Sequence, residues 1–173
     1  IGEAFDKCGK CMGMSYPAGP QIDKLARLGN PKKFSFPISK LKGSDVSYSG
    51  IKTAFTFFIQ KERQKDPNFI IKNLNDLCAS LQYTLTQIIL YKIEKTALKY
   101  GLKQIVLGGG VSANYEIRKQ LKKLSQINNW KLFLPPLHYT TDNAAMIGIA
   151  AFYKIKKEKY GMLSDEVMAR LNF

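Results

Sequence analysis

The fold is decided by one short stretch of the chain, Gln104-Ile105-Val106-Leu107-Gly108-Gly109-Gly110-Val111-Ser112-Ala113-Asn114. Residues 104–107 form a short apolar run, which is typical of a buried strand. The three glycines predict a tight turn, and the pattern from about Ser112 to Leu124 predicts a helix. A second strand is predicted over residues 130–134. Strand, glycine turn, helix and strand in this order predict a βαβ unit with two parallel strands.

Further helices surround this unit. Apolar spacing predicts them over residues 2–13, 21–28, 51–63 and 74–97, and from Asp142 to about Lys159. The long helix over residues 74–97 has the strongest periodicity, and Gly101 is predicted to close it at the C′ position. Short strands are predicted over residues 34–37 and 46–50, where polar and apolar residues alternate.

One face of the first helix is almost free of side chains. Gly2, Asp6, Gly9 and Gly13 follow one another at helical spacing. A glycine inside a helix costs about 1 kcal/mol relative to alanine. The stripe therefore predicts close approach of another backbone or of a ligand, with chance glycines near frayed helix ends as the alternative. The following residues 16–20, Tyr-Pro-Ala-Gly-Pro, predict a turn.

Composition limits the class of protein. The 173 residues, 45% hydrophobic and 23% charged, predict one folded α/β domain. No stretch reaches the roughly 20 apolar residues of a membrane-spanning helix, so no membrane partner is expected. Three cysteines fit a reduced, cytoplasmic protein. The net charge of +14 favours a polyanionic partner such as nucleic acid. Because the chain begins at Ile1 without methionine or signal peptide, we expect it to belong to a longer protein.

Candidate binding residues are predicted at the carboxyl ends of the two strands. Ligands bind parallel sheets at the carboxyl ends of the strands, where Gly108, Gly109 and Gly110 are predicted to lie. Asn114, predicted in the first helical turn, adds hydrogen-bonding groups there. Asp142 begins the last helix, where it either caps the helix or holds a divalent cation, or does both. A tight turn without a ligand is the alternative for the glycines.

The cysteines and the one histidine are not predicted to be catalytic. Cys8 and Cys11 have a C-x-x-C spacing, but no second pair exists to complete a zinc site, and helical spacing predicts their burial. His138 follows a pair of prolines and is predicted to lie in a loop.

Five motifs, in order and spacing, resemble those of the tRNA threonylcarbamoyladenosine transferase (TsaD) family. They are Gly2-Glu3-Ala4-Phe5-Asp6-Lys7, Tyr16-Pro17-Ala18-Gly19-Pro20 with Asp23, Ser47-Tyr48-Ser49-Gly50-Ile51-Lys52-Thr53, Gly109-Gly110-Val111-Ser112-Ala113-Asn114 and Thr141-Asp142-Asn143-Ala144-Ala145-Met146. The resemblance implies an actin-like ATPase fold (ASKHA, ribonuclease-H-like), with residues 1–173 as a single C-terminal lobe and the N-terminal lobe absent. It also implies transfer of the threonylcarbamoyl group from threonylcarbamoyl-AMP to N6 of adenosine 37 in tRNAs that read codons beginning with A.

The resemblance carries roles to individual positions. Asp6, Gly19 and Asp23 match positions that bind the adenylate or its ribose. Gly109 and Gly110 match the adenosine loop, Asn114 matches a nucleotide-contacting asparagine, and Asp142 matches a metal ligand. The metal, iron or zinc, is shared in the family with two histidines of an H-x-x-x-H motif in the other lobe, which this chain lacks. Ala18 departs from the family pattern, which usually has a glycine there.

The implied partners are tRNA, an actin-like paralogue and an ATPase subunit. Because the resemblance covers only the C-terminal lobe, we expect this chain alone to be inactive as a transferase. Three other functions stay open: a metallopeptidase, which is an older assignment of the family, an actin-superfamily ATPase or kinase, and a non-catalytic paralogue. The sequence has no H-E-x-x-H motif to support a peptidase.

Overall fold

A computed structural model describes residues 1–38, 41–162 and 164–166. The chain divides into two compact units, Ile1–Thr140 and Thr141–Phe173. The organisation as a single lobe, expected from the sequence, stays a prediction.

Four helices form the N-terminal part of the first unit: α1 (Gly2–Cys11), α2 (Gly19–Ala26), α3 (Ser49–Lys65) and α4 (Phe69–Lys99). All four confirm helices predicted from apolar spacing, although α3 and α4 extend beyond the predicted bounds. Helix α4 ends as predicted, because Gly101 has a φ of +63° and follows the C-cap Tyr100. A left-handed residue at this position is the common way to end a helix.

The main core of the first unit lies between these helices. Its fully buried side chains include Ile22 of α2, Phe55 of α3 and Leu77, Leu81 and Leu85 of α4. Each large apolar side chain buried in this way stabilises the fold by about 1.5–3 kcal/mol relative to an exposed one. The prediction that the apolar stripe of α4 is part of the core is therefore confirmed.

The two strands predicted before α3 are wrong. Neither residues 34–37 nor residues 46–48 form a strand, and α3 already begins at Ser49. The apolar residues of the first segment instead pack against helices: the ring of Phe36 lies 5.0 Å from that of Phe55, and the ring of Phe34 lies 5.4 Å from that of Phe58. Alternating burial thus arises from an irregular segment that covers a helix face.

The predicted βαβ unit is confirmed. Strand β1 (Gln104–Val106) is followed by a short 3₁₀ helix (Gly110–Ala113), helix α5 (Tyr115–Ile127) and strand β2 (Lys131–Phe133). The strands are parallel, with Gln104 opposite Lys131 and Val106 opposite Phe133. Ile117 and Leu121 of α5 pack with Leu90 of α4 in a second, smaller core. This core fixes the position of α5, whose first turn follows the glycines.

The second unit contains helix α6, Ala144–Ile155, which confirms the predicted apolar helix with narrower bounds. Every residue of α6 is exposed, including Ile147 at 74% and Ile155 at 57%. Over the described ranges, no helix has both the length and the apolar character needed to cross a lipid bilayer.

Candidate functional site

The glycine turn at the carboxyl end of β1 is open on its outer side. Gly108, Gly109 and Gly110 are exposed, and a Cβ added to any of them would meet no described atom within 4 Å. Gly109 has φ +80° and ψ 171°, a conformation that is essentially restricted to glycine. The main chain therefore presents a flat, side-chain-free surface at the place where parallel sheets bind ligands.

Asn114 is the N-cap of α5. Its Oδ1 accepts a hydrogen bond from the backbone N of Ile117 at 3.0 Å, and its Nδ2 donates to Oε1 of the buried Gln82 at 2.8 Å. The prediction that Asn114 lies inside the first helical turn is therefore wrong, because α5 begins at Tyr115, about three residues later than predicted. As the N-cap, the Asn114 side chain satisfies a backbone donor that the helix itself leaves unpaired. A primary amide has two donors and an acceptor with two lone pairs, so one donor and one lone pair of Asn114 are not used by these bonds.

Asp23 joins α2 to the start of α5. One carboxylate oxygen accepts from the backbone N of Tyr115 at 3.2 Å, and the other accepts from Arg27 Nη2 at 2.8 Å. The Arg27 guanidinium lies 4.5 Å from the centre of the Tyr115 ring. Sequence reasoning selected Asp23 but missed Arg27 and Tyr115. The four-residue spacing of Asp23 and Arg27 was the one available signal, since it predicts an ion pair on a helix.

Asp6 joins α1 to the start of α2. Its Oδ1 accepts from the backbone N of Ala18, the N-cap of α2, at 2.8 Å. The two segments come so close because α1 has glycine at position 9: a Cβ added to Gly9 would lie 2.2 Å from the Cβ of Ala18. Close backbone approach, predicted from the glycine stripe, is therefore confirmed at Gly9. Gly19 is the first residue of α2, and an added Cβ there would make an ordinary 3.9 Å contact with Phe5.

Six of the seven predicted site residues therefore lie in the first unit, at the starts of two helices. Gly109, Gly110 and Asn114 precede α5, and the carboxylate of Asp23, a residue of α2, bonds to the first residue of α5. Gly19 begins α2, and the carboxylate of Asp6, a residue of α1, bonds to the N-cap of α2.

The backbone N–H groups of Tyr115 and Ile117 at the start of α5 already donate to Asp23 and Asn114. A ligand therefore meets the exposed glycine main chain and the hydrogen-bonding capacity that these side chains have left. Carboxylates accept hydrogen bonds from hydroxyl groups, such as those of a ribose. The combination is chemically suited to a nucleotide.

Ser112 is a further residue of this region for which sequence reasoning gave no role. It is 1% exposed, and its hydroxyl has no hydrogen-bond partner among the described residues. Its carbonyl accepts from Arg118 Nη1 at 2.9 Å, and Arg118 also donates to the carbonyl of Pro135. Arg118 thus ties α5 to both the glycine-rich segment and the chain that follows β2.

Asp142, the seventh residue, belongs to the second unit. It is exposed and forms no hydrogen bond or ion pair with another described residue. The alternative in which Asp142 caps α6 is wrong, because the cap is Asn143, whose Oδ1 accepts from the backbone N of Met146 at 3.2 Å. Within residues 1–38, 41–162 and 164–166, no three His, Cys, Asp or Glu side chains gather as a metal site.

The predicted burial of the two neighbouring cysteines is confirmed for Cys8 and only in part for Cys11, and His138 lies in a connecting segment as predicted. Cys8 and Cys78 are buried free thiols, and loss of solvation raises the pKa of each to about 12. Cys11 is half-buried and bonds to the carbonyl of Lys7 at 3.3 Å. His138 lies in an exposed 3₁₀ turn, Leu137–Tyr139.

Comparison with known proteins assigns the chain to a family. The model of the TsaD family, tRNA N6-adenosine threonylcarbamoyltransferase, matches residues 1–149. A protein of that name from Christiangramia forsetii is 48% identical over 173 residues, which are 100% of this chain and 51% of that protein. Proteins of the same name from Riemerella anatipestifer and Mesoplasma florum are 46% and 45% identical over 98% and 90% of this chain, and over 50% and 49% of their own lengths. The chain spans about half the length of the curated relatives it matches, and it belongs to the TsaD family.

Proposed function

We propose that this chain supplies the nucleotide-binding half of a tRNA N6-adenosine threonylcarbamoyltransferase. The observation that carries the proposal is the open glycine turn beside the capped start of α5. In the proposed reaction, the N6 amine of adenosine 37 attacks the carbamoyl carbon of threonylcarbamoyl-AMP. A new C–N bond forms, the bond between that carbon and the phosphate oxygen breaks, N6 loses a proton, and AMP leaves.

The described residues act in this reaction by holding the AMP part of the donor. The adenosine lies on the main chain of Gly109 and Gly110, where any side chain would occupy its space. Asn114 contacts the nucleotide with the donor and lone pair that α5 and Gln82 leave unused. Asp6 and Asp23 accept hydrogen bonds from ribose hydroxyls, and Gly19 keeps the start of α2 accessible. Holding the leaving group in one orientation lowers the entropic part of the barrier.

The family also implies a divalent metal, iron or zinc. The described residues do not form a site for it by themselves, because Asp142 is a single exposed carboxylate without further ligands in the described ranges. We propose that Asp142 supplies one ligand and that two histidines outside this chain supply others. No step of the proposed reaction is derived through the metal.

The remaining proposals concern the larger assembly. We propose that the first unit belongs to one lobe of an actin-like enzyme, an assignment supported by its parallel βαβ unit and by its family. Proposed partners are tRNA, an actin-like paralogue and an ATPase subunit, and the proposed location is the cytoplasm. The net charge of +14 supports the RNA partner. The two-unit chain alone is proposed to be inactive in transfer.

One alternative shares the same nucleotide site. An actin-superfamily ATPase or kinase would use the glycine turn for ATP, and phosphate release or phosphotransfer would distinguish it from the transferase. The metallopeptidase alternative has no three-ligand metal cluster among the described residues to support it.

The proposal is tested by adding a methyl group to the glycine turn. In Gly110→Ala the new Cβ enters open space, so we expect unchanged folding but at least a tenfold loss of AMP affinity, measured by calorimetry on this chain. Gly148→Ala, which adds a Cβ to open space in α6, is the matched control and should leave AMP affinity unchanged. Equal affinity in the unsubstituted chain and Gly110→Ala would contradict the site, as would undetectable AMP binding by the unsubstituted chain. In the full-length protein, ATP turnover without tRNA modification would favour the ATPase.

A further inference from the structure

Six lysines gather at one end of the βαβ unit, opposite the glycine turn. This lysine end consists of Lys95, Lys99, Lys103, Lys122, Lys123 and Lys131, and all six are exposed. The fold brings them together because α4 and α5 finish where β1 and β2 begin. The backbone N of Lys131 donates to the carbonyl of Lys103 at 2.8 Å, and Asn128 Nδ2 donates to Glu94 Oε1 at 3.4 Å.

The charge of the lysine end is not neutralised locally. Within the described part of the chain, none of its six ammonium groups forms an ion pair. Glu94 is half-buried between α4 and α5. The neighbouring loop, held to α4 by the 3.1 Å hydrogen bond between Thr96 and Ser44, adds both Lys42 and Asp45 and so leaves the balance unchanged. A cluster of like charges of this kind creates a strong positive potential.

The preference of lysine for helix C-termini explains only some of the lysines in this cluster. Lysines are favoured near helix C-termini because they interact well with the helix dipole. That effect accounts for Lys99 in the last turn of α4, whereas the last turn of α5 contains no basic residue, so Lys122 and Lys123 are not explained by it. It does not account for Lys103 and Lys131, which lie next to and in the strands.

Two exposed aromatic rings lie next to lysines of this end. Lys99 Nζ lies 4.9 Å from the Tyr100 ring, and Lys131 Nζ lies 5.1 Å from the Phe133 ring. Tyr100 is 59% exposed and Phe133 is 40% exposed. Ammonium groups that contact phosphates, together with aromatic rings on which bases stack, are the usual means of binding nucleic acid.

We propose that the lysine end binds the phosphate backbone of RNA. The proposal rests on the proposed function, in which that RNA is the tRNA substrate. Along α5, Lys122 and Lys123 lie about 12–14 Å from Asn114, and the end of the helix lies about 20 Å from it. An RNA held there by its phosphates extends along the unit, so that a nucleotide further along the same molecule reaches the glycine turn. Lysine contacts to phosphates carry no base information, so this surface provides affinity and orientation without sequence preference.

The test is the salt dependence of RNA binding to this chain, with a tRNA that reads codons beginning with A as the probe. Lys103→Gln/Lys122→Gln/Lys123→Gln removes three ammonium groups that have no aromatic or polar contact within the described residues. Each lost phosphate contact reduces the slope of log K against log salt by about 0.7–0.9, so we expect the slope to fall by about 2. The control, Lys32→Gln/Lys61→Gln/Arg63→Gln, removes the same charge from other exposed positions of the first unit and should leave the slope unchanged.

Three results would overturn the proposal: no change of slope in the lysine-end variant, an equal change in both variants, or a larger loss of binding to anionic phosphatidylserine vesicles than to tRNA. This experiment measures RNA binding and does not depend on threonylcarbamoyl transfer. A failure of the proposed transferase function can therefore be distinguished from a failure of the proposed RNA surface. Full-length protein that binds tRNA through the lysine end but adds no threonylcarbamoyl group would contradict the transferase activity and leave the RNA surface intact.

Discussion

Asn114 combines a structural contact with a proposed contact to the nucleotide. Its side chain caps α5 and bonds to Gln82, so replacing it by alanine removes both interactions together. A loss of nucleotide affinity in such a variant would therefore mix local unfolding with the loss of a ligand contact.

Stability measurements on two variants separate these effects. Asn114→Ala should lower the free energy of unfolding by about 1–3 kcal/mol, through the lost cap and the unpaired Gln82. The free energy of unfolding of Asn114→Asp should stay close to that of the unsubstituted chain. Aspartate caps a helix about as well as asparagine, and the Gln82 amide can turn so that its NH₂ group donates to the new carboxylate. Urea denaturation measures both. Equal stability of the alanine variant would show that the cap contributes nothing.

The substitution Asp142→Asn tests the proposed role of Asp142 as a metal ligand without changing the cap of α6. Because Asn143 caps α6, loss of the Asp142 charge should leave the melting temperature of this chain unchanged. In the full-length protein we expect a severe loss of bound metal and of tRNA modification, since a charged ligand of the cation is lost. Metal analysis by mass spectrometry and an assay of modified tRNA are the measurements. Normal metal content and normal modification together would remove Asp142 from the site.

At the residue scale, the contacts of the predicted site residues could not be derived from the sequence. Asp23 was selected, but its bond to the backbone of Tyr115 joins positions that are 92 residues apart, and no local pattern indicates such a pair. Asn114 was predicted in the first turn of a helix from about Ser112, but residues 110–113 form a separate 3₁₀ helix and Asn114 is the N-cap of α5. The proposed ligand contacts of these residues stay predictions.

At the scale of elements, α1 and the start of α2 depend on a single missing side chain. Gly9→Ala would place a Cβ 2.2 Å from that of Ala18, so the helices must move apart. We expect a loss of about 1–3 kcal/mol in the free energy of unfolding, as is typical of overpacked cores. Gly2→Ala is the control, since its Cβ would meet Val111 at an ordinary 3.5 Å. Denaturant titration should show the loss for position 9 alone, and similar losses at both positions would contradict this account.

Elements with strong periodicity were predicted well, and segments shaped by packing were not. The βαβ unit follows from local order along the chain: strand, glycine turn, helix, strand. The failed strand over residues 34–37 shows alternating burial for another reason, because Phe34 and Phe36 face α3 and α4 across an irregular segment. Packing against the helices produced the same alternation of polar and apolar residues as a strand in a sheet. The sequence alone therefore could not distinguish a strand from an irregular segment here.

At the scale of the whole molecule, the exposed apolar surface of α6 should control solubility. The chain is expected to fold and to give a strongly helical circular-dichroism spectrum, because its cores are formed by its own residues. Exposed patches of this kind promote self-association. Ile147→Gln/Ile155→Gln should therefore reduce association in sedimentation velocity. Ile71→Gln/Ile127→Gln changes equally exposed isoleucines on α4 and α5 and should have little effect. Unchanged association in the α6 variant would exclude α6 as the cause.

The bond between Asp23 and Tyr115 also has a consequence for the timing of protein synthesis. A ribosome adds about 5–20 residues per second, so about 5 to 20 s pass between the addition of Asp23 and that of its backbone partner 92 residues later. Helices α1 and α2 are complete long before this, but the Asp23 carboxylate has only Arg27 as a partner until α5 is made. The contact between α2 and the start of α5 is therefore assembled late, after the helices that form most of the main core.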